Sequence, residues 1–413
     1  MDDRAAICWL HRRAGFGITS TDLDAAIARG PAAEIERLLA AGPGDVSFVD
    51  PWNDADLPLT PKDRTESMQA INTWLDHMIT TKTPLLDRIA WMWHGHFVSA
   101  LDKVKVGRLM VNQLRLFRTS GLGSFAPLLR AVTIDPAMLV YLDGATSTGD
   151  HPNENYSREA MELFTIGLGA YTEDDVKAGA SALSGWTVVR TDGTSMFRPR
   201  RHDDSAKTYL GTSGVHDVDS WLAAIMASKA LSGSIAGTVA GELLGSSDPA
   251  VVGGLATAFS SSSFDITTLV RATLQAGVAG SSQPIVLGPV AWLAIAQRVT
   301  AAVIAPKLRL VGLRAAGQIP MLPPNVAGWP GGAAWFGSST VVARAGLAAH
   351  VAAAAPADNP ARAAADRGDL AALAAALSLP ADFGPATTAA LAAASPGVPR
   401  LALALCAPEF VIA

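Results

Sequence analysis

Apolar residues recur at three- and four-residue steps along most of this chain, and this period limits the fold more than any other feature. In the stretch "TPLLDRIAWMWHGHFVSA", Leu85, Ile89 and Trp93 follow one another at four-residue steps, which places them on one face of a helix. The same period predicts further helices over residues 22–41, 68–79, 105–118 and 125–134. We therefore expect a mainly α fold, a globular array of many helices.

One segment departs from the helical period. Residues 186–202, "WTVVRTDGTSMFRPRRH", alternate β-forming side chains around Asp192-Gly193, the strongest short hairpin signal in the chain. The sequence therefore predicts one short β-hairpin over residues 187–198. Just before it, Thr172 with Asp175 three residues later has the pattern of a capping box and predicts the start of another helix.

Length and composition limit the domain organisation. The chain has 413 residues, of which 49% are hydrophobic and 17% charged, so it can bury a large core. We expect one domain over residues 1–413 with two lobes. Residues 1–205 would form a helical lobe that carries most motifs and the hairpin, and residues 206–413 an Ala-rich helical lobe.

The charge balance and the termini exclude several classes of partner. With 32 basic and 37 acidic residues, the formal net charge is -5, so no broad cationic surface for nucleic acid is expected. The longest apolar run, residues 284–296, is too short to cross a bilayer, which predicts no membrane span. The N-terminus has neither a basic n-region nor an apolar h-region, so we expect a cytoplasmic protein.

Charge is concentrated in residues 153–167, "NENYSREAMELFTIG", which we call the charged segment. On a helix, Glu154, Arg158 and Glu162 lie four residues apart on one face, with Glu159 beside them. Three carboxylates beside one arginine can share protons, bind a cation or act as acid and base. The alternative is a solvated helix face with an ordinary ion pair.

Amides, histidines and tryptophans complete the set of candidate site residues. Asn153 and Asn155 flank Glu154 after a His-Pro turn, where amides can orient a carboxylate and bind substrate. The remaining candidates are imidazoles for acid–base work and indoles for stacking on a flat ligand: His94, His96, His202, Trp186, Trp329 and Trp335. Residues two apart point to different sides of a helix, so we expect only one of His94 and His96 to face the charged segment.

Several quoted stretches resemble the bacterial family known as domain of unknown function 1800. They are "LHRRAGFG" at Leu10, "WMWHGHF" at Trp91, "IDPAMLVYLDG" at Ile134, "PNENYSREAMELFTIGLGAYTEDDVKAGASALSGWTV" at Pro152, "RRHDDSAKTYLG" at Arg200, "LPPNVAGWPGGAAW" at Leu322 and "CAPEF" at Cys406. The resemblance implies a mostly helical bacterial protein. It also implies a partner of a sulfatase-like family, and many relatives look exported, whereas this chain shows no signal. The resemblance implies no activity.

Two functions fit the sequence. The first is a hydrolase or transferase that acts on a polar, carbohydrate-like substrate, with Glu154, Glu159 and Glu162 as glycosidase-like acid and base. No motif requires a cofactor, although Mg²⁺, Mn²⁺ or Fe²⁺ would suit the same carboxylates with a histidine. The second is a binding or scaffold protein, in which the charged segment is a structural ion-pair network and a partner enzyme supplies the chemistry.

Overall fold

The computed structural model describes residues 1–40, 50–60 and 64–413, and in these residues the mainly α fold is confirmed. The first half of the chain forms α1 (Asp3–Arg13), α2 (Ser20–Arg29), α3 (Pro31–Ala40), α4 (Thr65–Thr80), α5 (Pro84–His96), α6 (Leu101–Val104), α7 (Gly107–Ser120), α8 (Phe125–Thr133), α9 (Pro136–Tyr141), α10 (Glu154–Glu159) and α11 (Glu173–Ala182). Short 3₁₀ turns lie at Asp54–Asp56, Gly144–Thr146 and Pro199–Arg201.

The second half is helical throughout, apart from one hairpin. Its helices are α12 (Val218–Met226), α13 (Leu231–Leu244), α14 (Pro249–Ser261), α15 (Ile266–Ala276), α16 (Pro289–Thr300), α17 (Pro306–Ala315), α18 (Ser338–Ala354), α19 (Pro360–Arg367), α20 (Leu370–Ala376), α21 (Pro385–Ala393), α22 (Val398–Cys406) and α23 (Pro408–Val411). A π-helical turn follows α15 at Gly277–Ser281, and a 3₁₀ turn lies at Gly332–Phe336.

The helix predicted over residues 22–41 is wrong as one element, because it is divided into α2 and α3. Gly30 ends α2 with φ 78°, a conformation that glycine adopts without a steric penalty. Pro31 then begins α3, where a missing N–H costs nothing. Residue 41 lies outside the described residues.

The predicted hairpin is confirmed, and a second hairpin was not predicted. Strands β1 (Trp186–Val189) and β2 (Thr194–Phe197) pair antiparallel around Gly193, which has φ 74°. Strands β3 (Lys207–Tyr209) and β4 (Thr212–Val215) form the second pair. Its turn places Leu210 at φ 49° and Gly211 at φ 75°. Because leucine seldom adopts positive φ, the sequence offered no hairpin signal there.

The two ends of the chain are joined through α1. The guanidinium groups of Arg12 and Arg13 are buried and donate to main-chain carbonyls, among them Phe410 at 2.6 Å, Gln283 at 2.5 Å and Ala413. Burial lowers the pKa of Arg13 to about 9, so the side chain remains charged near neutral pH. A connected cluster of buried apolar side chains extends from Ile7 to Val411. The division into two lobes stays a prediction.

In the described part of the chain, no single helix has the length and apolar composition needed to cross a membrane. Among the described helices, one pair, α12 and α13, satisfies that test when the two are taken together, with a bend of 78° between them.

Candidate functional site

Two of the quoted motifs meet at one place in the fold. "WMWHGHF" ends α5, and the loop that contains "LPPNVAGWPGG" packs on the end of this helix. Gly328 has φ 82°, and a Cβ atom there would lie 2.4 Å from the carbonyl oxygen of Gly95. The main-chain N–H of Met321 donates to Nε2 of His94 across 3.1 Å. A side chain at residue 328 would therefore separate the loop from the helix.

Beside this contact lies a cavity of about 400 Å³, which we call the tryptophan cleft. Its walls come from α5, α13, the segment before α16 and the loop after Met321. The side chains that can recognise a ligand in it are Arg88, Trp91, His96, Glu242, Gln318, Trp329 and Trp335. Such a volume falls within the usual range for small-molecule sites.

Tryptophans form one wall of the tryptophan cleft. The rings of Trp91 and Trp329 stack with their centroids 4.9 Å apart and their planes 16° apart. Trp329 is partly exposed, and its Nε1 is buried without a hydrogen-bond partner in the described residues. Trp335 is buried, with 4% of its surface exposed. The wall thus offers an apolar ring surface on which a flat ligand can stack.

An ion pair crosses the cleft from α5 to α13. Nη2 of Arg88 lies 3.0 Å from Oε1 of Glu242, and the side chains are 5% and 37% exposed respectively. Nε of Arg88 is buried and has no partner among the described residues. The pair therefore presents donors from a fixed guanidinium and acceptors from a more accessible carboxylate.

The two candidate histidines both bond to the main chain, and His96 is partly exposed. His94 is fully buried and accepts from Met321, and burial lowers its pKa to about 3. His96 lines the cleft, and its Nε2 donates to the carbonyl oxygen of Phe164 across 2.9 Å. One histidine thus reaches the charged segment, but at a carbonyl: no hydrogen bond or ion pair joins either imidazole to Glu154, Glu159 or Glu162.

The cation of the charged segment is held by surface carboxylates. Arg158 donates to both oxygens of Glu173, at 2.7 and 2.8 Å, and more weakly to Glu154 at 3.4 Å. These bonds raise the pKa of Arg158. Glu173, which the sequence did not single out, comes from the first turn of α11. These are exposed ion pairs, as on a solvated helix face. A structural or a catalytic role of the charged segment stays a prediction.

Glu159 and Glu162 are not part of that network. Glu162 accepts a hydrogen bond from the hydroxyl of Tyr171 across 2.7 Å. No described residue donates a hydrogen bond to Glu159, and burial together with the nearby charge of Glu162 raises its pKa. These two neighbouring carboxylates are the part of this segment that could perform acid–base chemistry.

The backbone of the charged segment is not the regular helix that the spacing assumed. Ala160–Thr165 is a π-helical turn, in which the N–H of Ile166 donates to Met161 five residues back at 3.1 Å. π-Turns are rare and are often found at functional sites. The π-turn begins after Arg158 and includes Glu162, so their four-residue spacing does not place the two side chains on one face as in a regular α-helix.

The amides cap and tether this helix rather than orient Glu154. The side-chain oxygen of Asn153 accepts from the N–H of Asn155 at 2.9 Å, as an N-cap residue does. The side chain of Asn155 donates to Asp143 at 3.2 Å. The interpretation that these amides orient a catalytic carboxylate finds no contact that supports it.

The remaining candidates, His202 and Trp186, lie around the first hairpin. Nδ1 of His202 donates to the carbonyl of Ser184 at 3.0 Å, and its ring packs against Phe197 at 5.1 Å. Trp186 also packs on Phe197, at 5.4 Å. The two therefore fix the base of the hairpin, away from the residues that line the tryptophan cleft. Among the described residues, no group of three His, Cys, Asp or Glu side chains could hold a metal ion.

Sequence reasoning missed the polar residues of the cleft, Arg88, Glu242 and Gln318. Arg88 and Glu242 are 154 positions apart, so no local pattern connects them. The side-chain oxygen of Gln318 accepts from the N–H of Val290 at 2.9 Å and thereby caps α16. The sequence did contain a hint for Arg88, because it is the one lysine or arginine on the mostly apolar helix α5.

The fold and the cleft define a mainly α-helical protein with a tryptophan-lined cavity beside an ion pair of a buried arginine and a partly exposed glutamate. The family model described as "Protein of unknown function (DUF1800)" matches residues 9–412, so the chain belongs to that family, as the motifs indicated. No curated protein and no solved structure matches the chain significantly.

Proposed function

We propose that this chain binds a carbohydrate in the tryptophan cleft and that its charged segment is mainly structural. The observation that carries the proposal is the stacked pair of Trp91 and Trp329 in the same cavity as the ion pair of Arg88 and Glu242. A sugar ring has an apolar C–H face that packs on an indole, and hydroxyls at its edge that need both donors and acceptors.

The hydrogen-bonding state of the cleft supports this choice. Nη2 of Arg88 donates to Glu242 at 3.0 Å, whereas its Nη1 is not buried and forms no hydrogen bond with a described residue. Glu242 is more exposed and has lone pairs left to accept from ligand hydroxyls. The ion pair can therefore bond to ligand hydroxyls from both sides, with the guanidinium as donor and the carboxylate as acceptor.

The test is isothermal titration with a panel of mono- and disaccharides against the wild type and two matched variants. Trp329→Ala removes the stacking surface and should weaken binding at least about tenfold. Trp186→Ala removes a partly exposed tryptophan outside the cleft and should leave affinity unchanged. If no sugar in the panel binds, or if Trp329→Ala binds as tightly as the wild type, the proposal is wrong.

A second candidate is hydrolytic or transfer chemistry at the charged segment. The observation that favours it is the neighbouring pair of Glu159 and Glu162, with the pKa of Glu159 raised by burial and by the adjacent charge. Glu159 would donate a proton to the departing oxygen, and Glu162, which accepts a hydrogen bond from Tyr171, would be the second carboxylate of the pair. Loss of sugar hydrolysis in Glu159→Gln, with sugar binding retained, would support this role.

The partner of the sulfatase-like family is likewise a proposal, based only on the family resemblance. A partner enzyme would supply chemistry that the ion pair in the cleft does not by itself provide. Co-purification of the two proteins from a host that expresses both, and its loss in the absence of either, would test it.

A further inference from the structure

A second cavity, separate from the tryptophan cleft, lies where α2, α3, the end of α4 and the end of α16 meet. Its volume is about 720 Å³. Its lining includes Arg29, Arg37, Lys82 and Arg298, together with the uncharged groups of Thr80 and Gln297. We call it the basic cavity. It shares no lining residue with the tryptophan cleft.

Charge in the basic cavity is unbalanced. Four cationic side chains line it, against the single carboxylate of Asp22, which accepts from the hydroxyl of Thr19 at 2.7 Å. His11 also lines the cavity, and burial lowers its pKa, so it is uncharged at neutral pH. Glu34 bonds to Arg29 and Arg37 but does not itself line the cavity. When its carboxylate is counted too, cationic side chains still outnumber carboxylates.

Glu34 fixes two of the cations in position. It is fully buried and accepts from Arg29 at 2.8 Å, Arg37 at 2.6 Å and His11 at 2.9 Å. Burial alone would raise the pKa of Glu34, but these bonds outweigh it and hold the pKa well below its usual range. One carboxylate therefore orients two guanidinium groups, each of which keeps further N–H donors.

The other two cations have unused hydrogen-bonding capacity. Nη2 of Arg298 donates to the carbonyls of Met78 and Thr81 at 2.9 and 3.1 Å, which holds the side chain against the end of α4. Its Nη1 is not buried and forms no hydrogen bond with a described residue. Lys82 is exposed and forms no hydrogen bond or ion pair with any described residue.

From these contacts we infer that the basic cavity binds a small molecule that carries two or more negative charges on phosphate or carboxylate groups. Guanidinium groups held at fixed angles recognise such oxyanions through paired N–H donors, and a free ammonium adds a mobile charge. The volume accommodates more than a single inorganic ion. This inference does not depend on the proposed sugar site.

The test is isothermal titration of the full chain with pyrophosphate and with citrate at matched ionic strength. Binding of pyrophosphate alone assigns a phosphate ligand, binding of citrate alone a polycarboxylate, and binding of both supports the shared oxyanion chemistry. Lys82→Gln should weaken binding about tenfold, the loss expected for one charge-assisted hydrogen bond. Lys177→Gln, at an exposed lysine outside the cavity, should change nothing.

Arg298→Gln should abolish binding. Because Arg298 also donates to two main-chain carbonyls, its thermal unfolding is measured first, and Lys82→Gln decides the question if Arg298→Gln does not fold. Trp329→Ala should bind the anion normally, which separates this site from the tryptophan cleft. No heat with either anion, or unchanged affinity in Lys82→Gln, would overturn the inference.

Discussion

His96 donates a hydrogen bond from Nε2 to the carbonyl oxygen of Phe164 across 2.9 Å, and this bond connects the tryptophan cleft with the π-helical turn of the charged segment. Two regions that the sequence suggested as one catalytic centre are therefore neighbours joined through a backbone contact. Burial lowers the pKa of His96 to about 4, so the ring is neutral at physiological pH and serves as a donor.

The neutral state of His96 predicts a pH dependence of stability. The folded pKa of about 4 lies below the ordinary value of 6.5, so the unfolded chain takes up this proton first as pH falls. Between those values the wild type should lose about 3 kcal/mol relative to His96→Gln, which keeps the donor but does not titrate. Urea unfolding of both proteins from pH 7 to 4 measures this difference, and a constant difference would contradict the account.

Asp135 should show the opposite dependence. It is buried at the N-cap of α9, and burial raises its pKa to about 7 from an ordinary value of 3.8. The folded state therefore keeps a proton that the unfolded chain loses, and stability falls as pH rises through that window. Relative to Asp135→Asn, the wild type should lose about 4 kcal/mol between pH 4 and pH 7.

The control for Asp135 is a carboxylate with the reverse shift. Burial of Asp175 is outweighed by hydrogen bonds from Thr172 and from the N–H of Leu210, so its pKa is lowered. Asp175→Asn should therefore lose stability relative to the wild type as pH rises. Denaturant unfolding at several pH values compares both variants, and slopes of equal sign would refute the assignment.

Substitution of Glu159 distinguishes a role in chemistry from a role in the stability of the fold. Neither Glu159 nor Glu162 pairs with Arg158, which is held by Glu154 and Glu173 instead. Glu159→Gln should therefore change the free energy of unfolding by no more than about 0.5 kcal/mol, as for a surface position. Glu173→Gln, which removes the main partner of Arg158, should cost about as little because the pair is exposed. Thermal unfolding with a loss of several kcal/mol in Glu159→Gln would show a buried network instead.

Gly328 and Gly95 provide a matched pair for the contact beside the cleft. Gly328→Ala combines a positive φ of 82° with a methyl group 2.4 Å from the Gly95 carbonyl, so it should displace the loop and destabilise the protein by at least about 1–3 kcal/mol. At Gly95, a Cβ atom meets nothing within 4 Å, and alanine there should not destabilise α5. Equal melting temperatures for the two variants would argue against this loop placement.

Local signals explain what the sequence predicted well. The capping box at Thr172 and Asp175 and the hairpin at Asp192-Gly193 depend on side chains within a few positions of one another, and both are present. The β3–β4 turn was not predicted because Leu210 adopts a positive φ, which leucine disfavours. The turn is stabilised by a hydrogen bond from the N–H of Leu210 to the side chain of Asp175 at 2.6 Å. Tertiary contacts thus override propensity at this turn.

The site was harder to predict because its polar partners are distant in sequence. Charge density drew attention to the charged segment, yet its arginine is paired at the surface with Glu173. The cleft instead combines Arg88, on the helix of one quoted motif, with Glu242, which lies in none of the quoted motifs. Trp329 and His96 were identified from sequence, but their common location depends on how the loop packs against Gly95.

The most direct test of the account is a crystal structure of the chain with the tightest-binding sugar from the titration panel. We predict that the sugar ring lies on Trp329 and that its hydroxyls contact Arg88 and Glu242. Electron density for the sugar beside Glu159 and Glu162, with the tryptophan cleft empty, would contradict the central claim and would place the binding site at the charged segment.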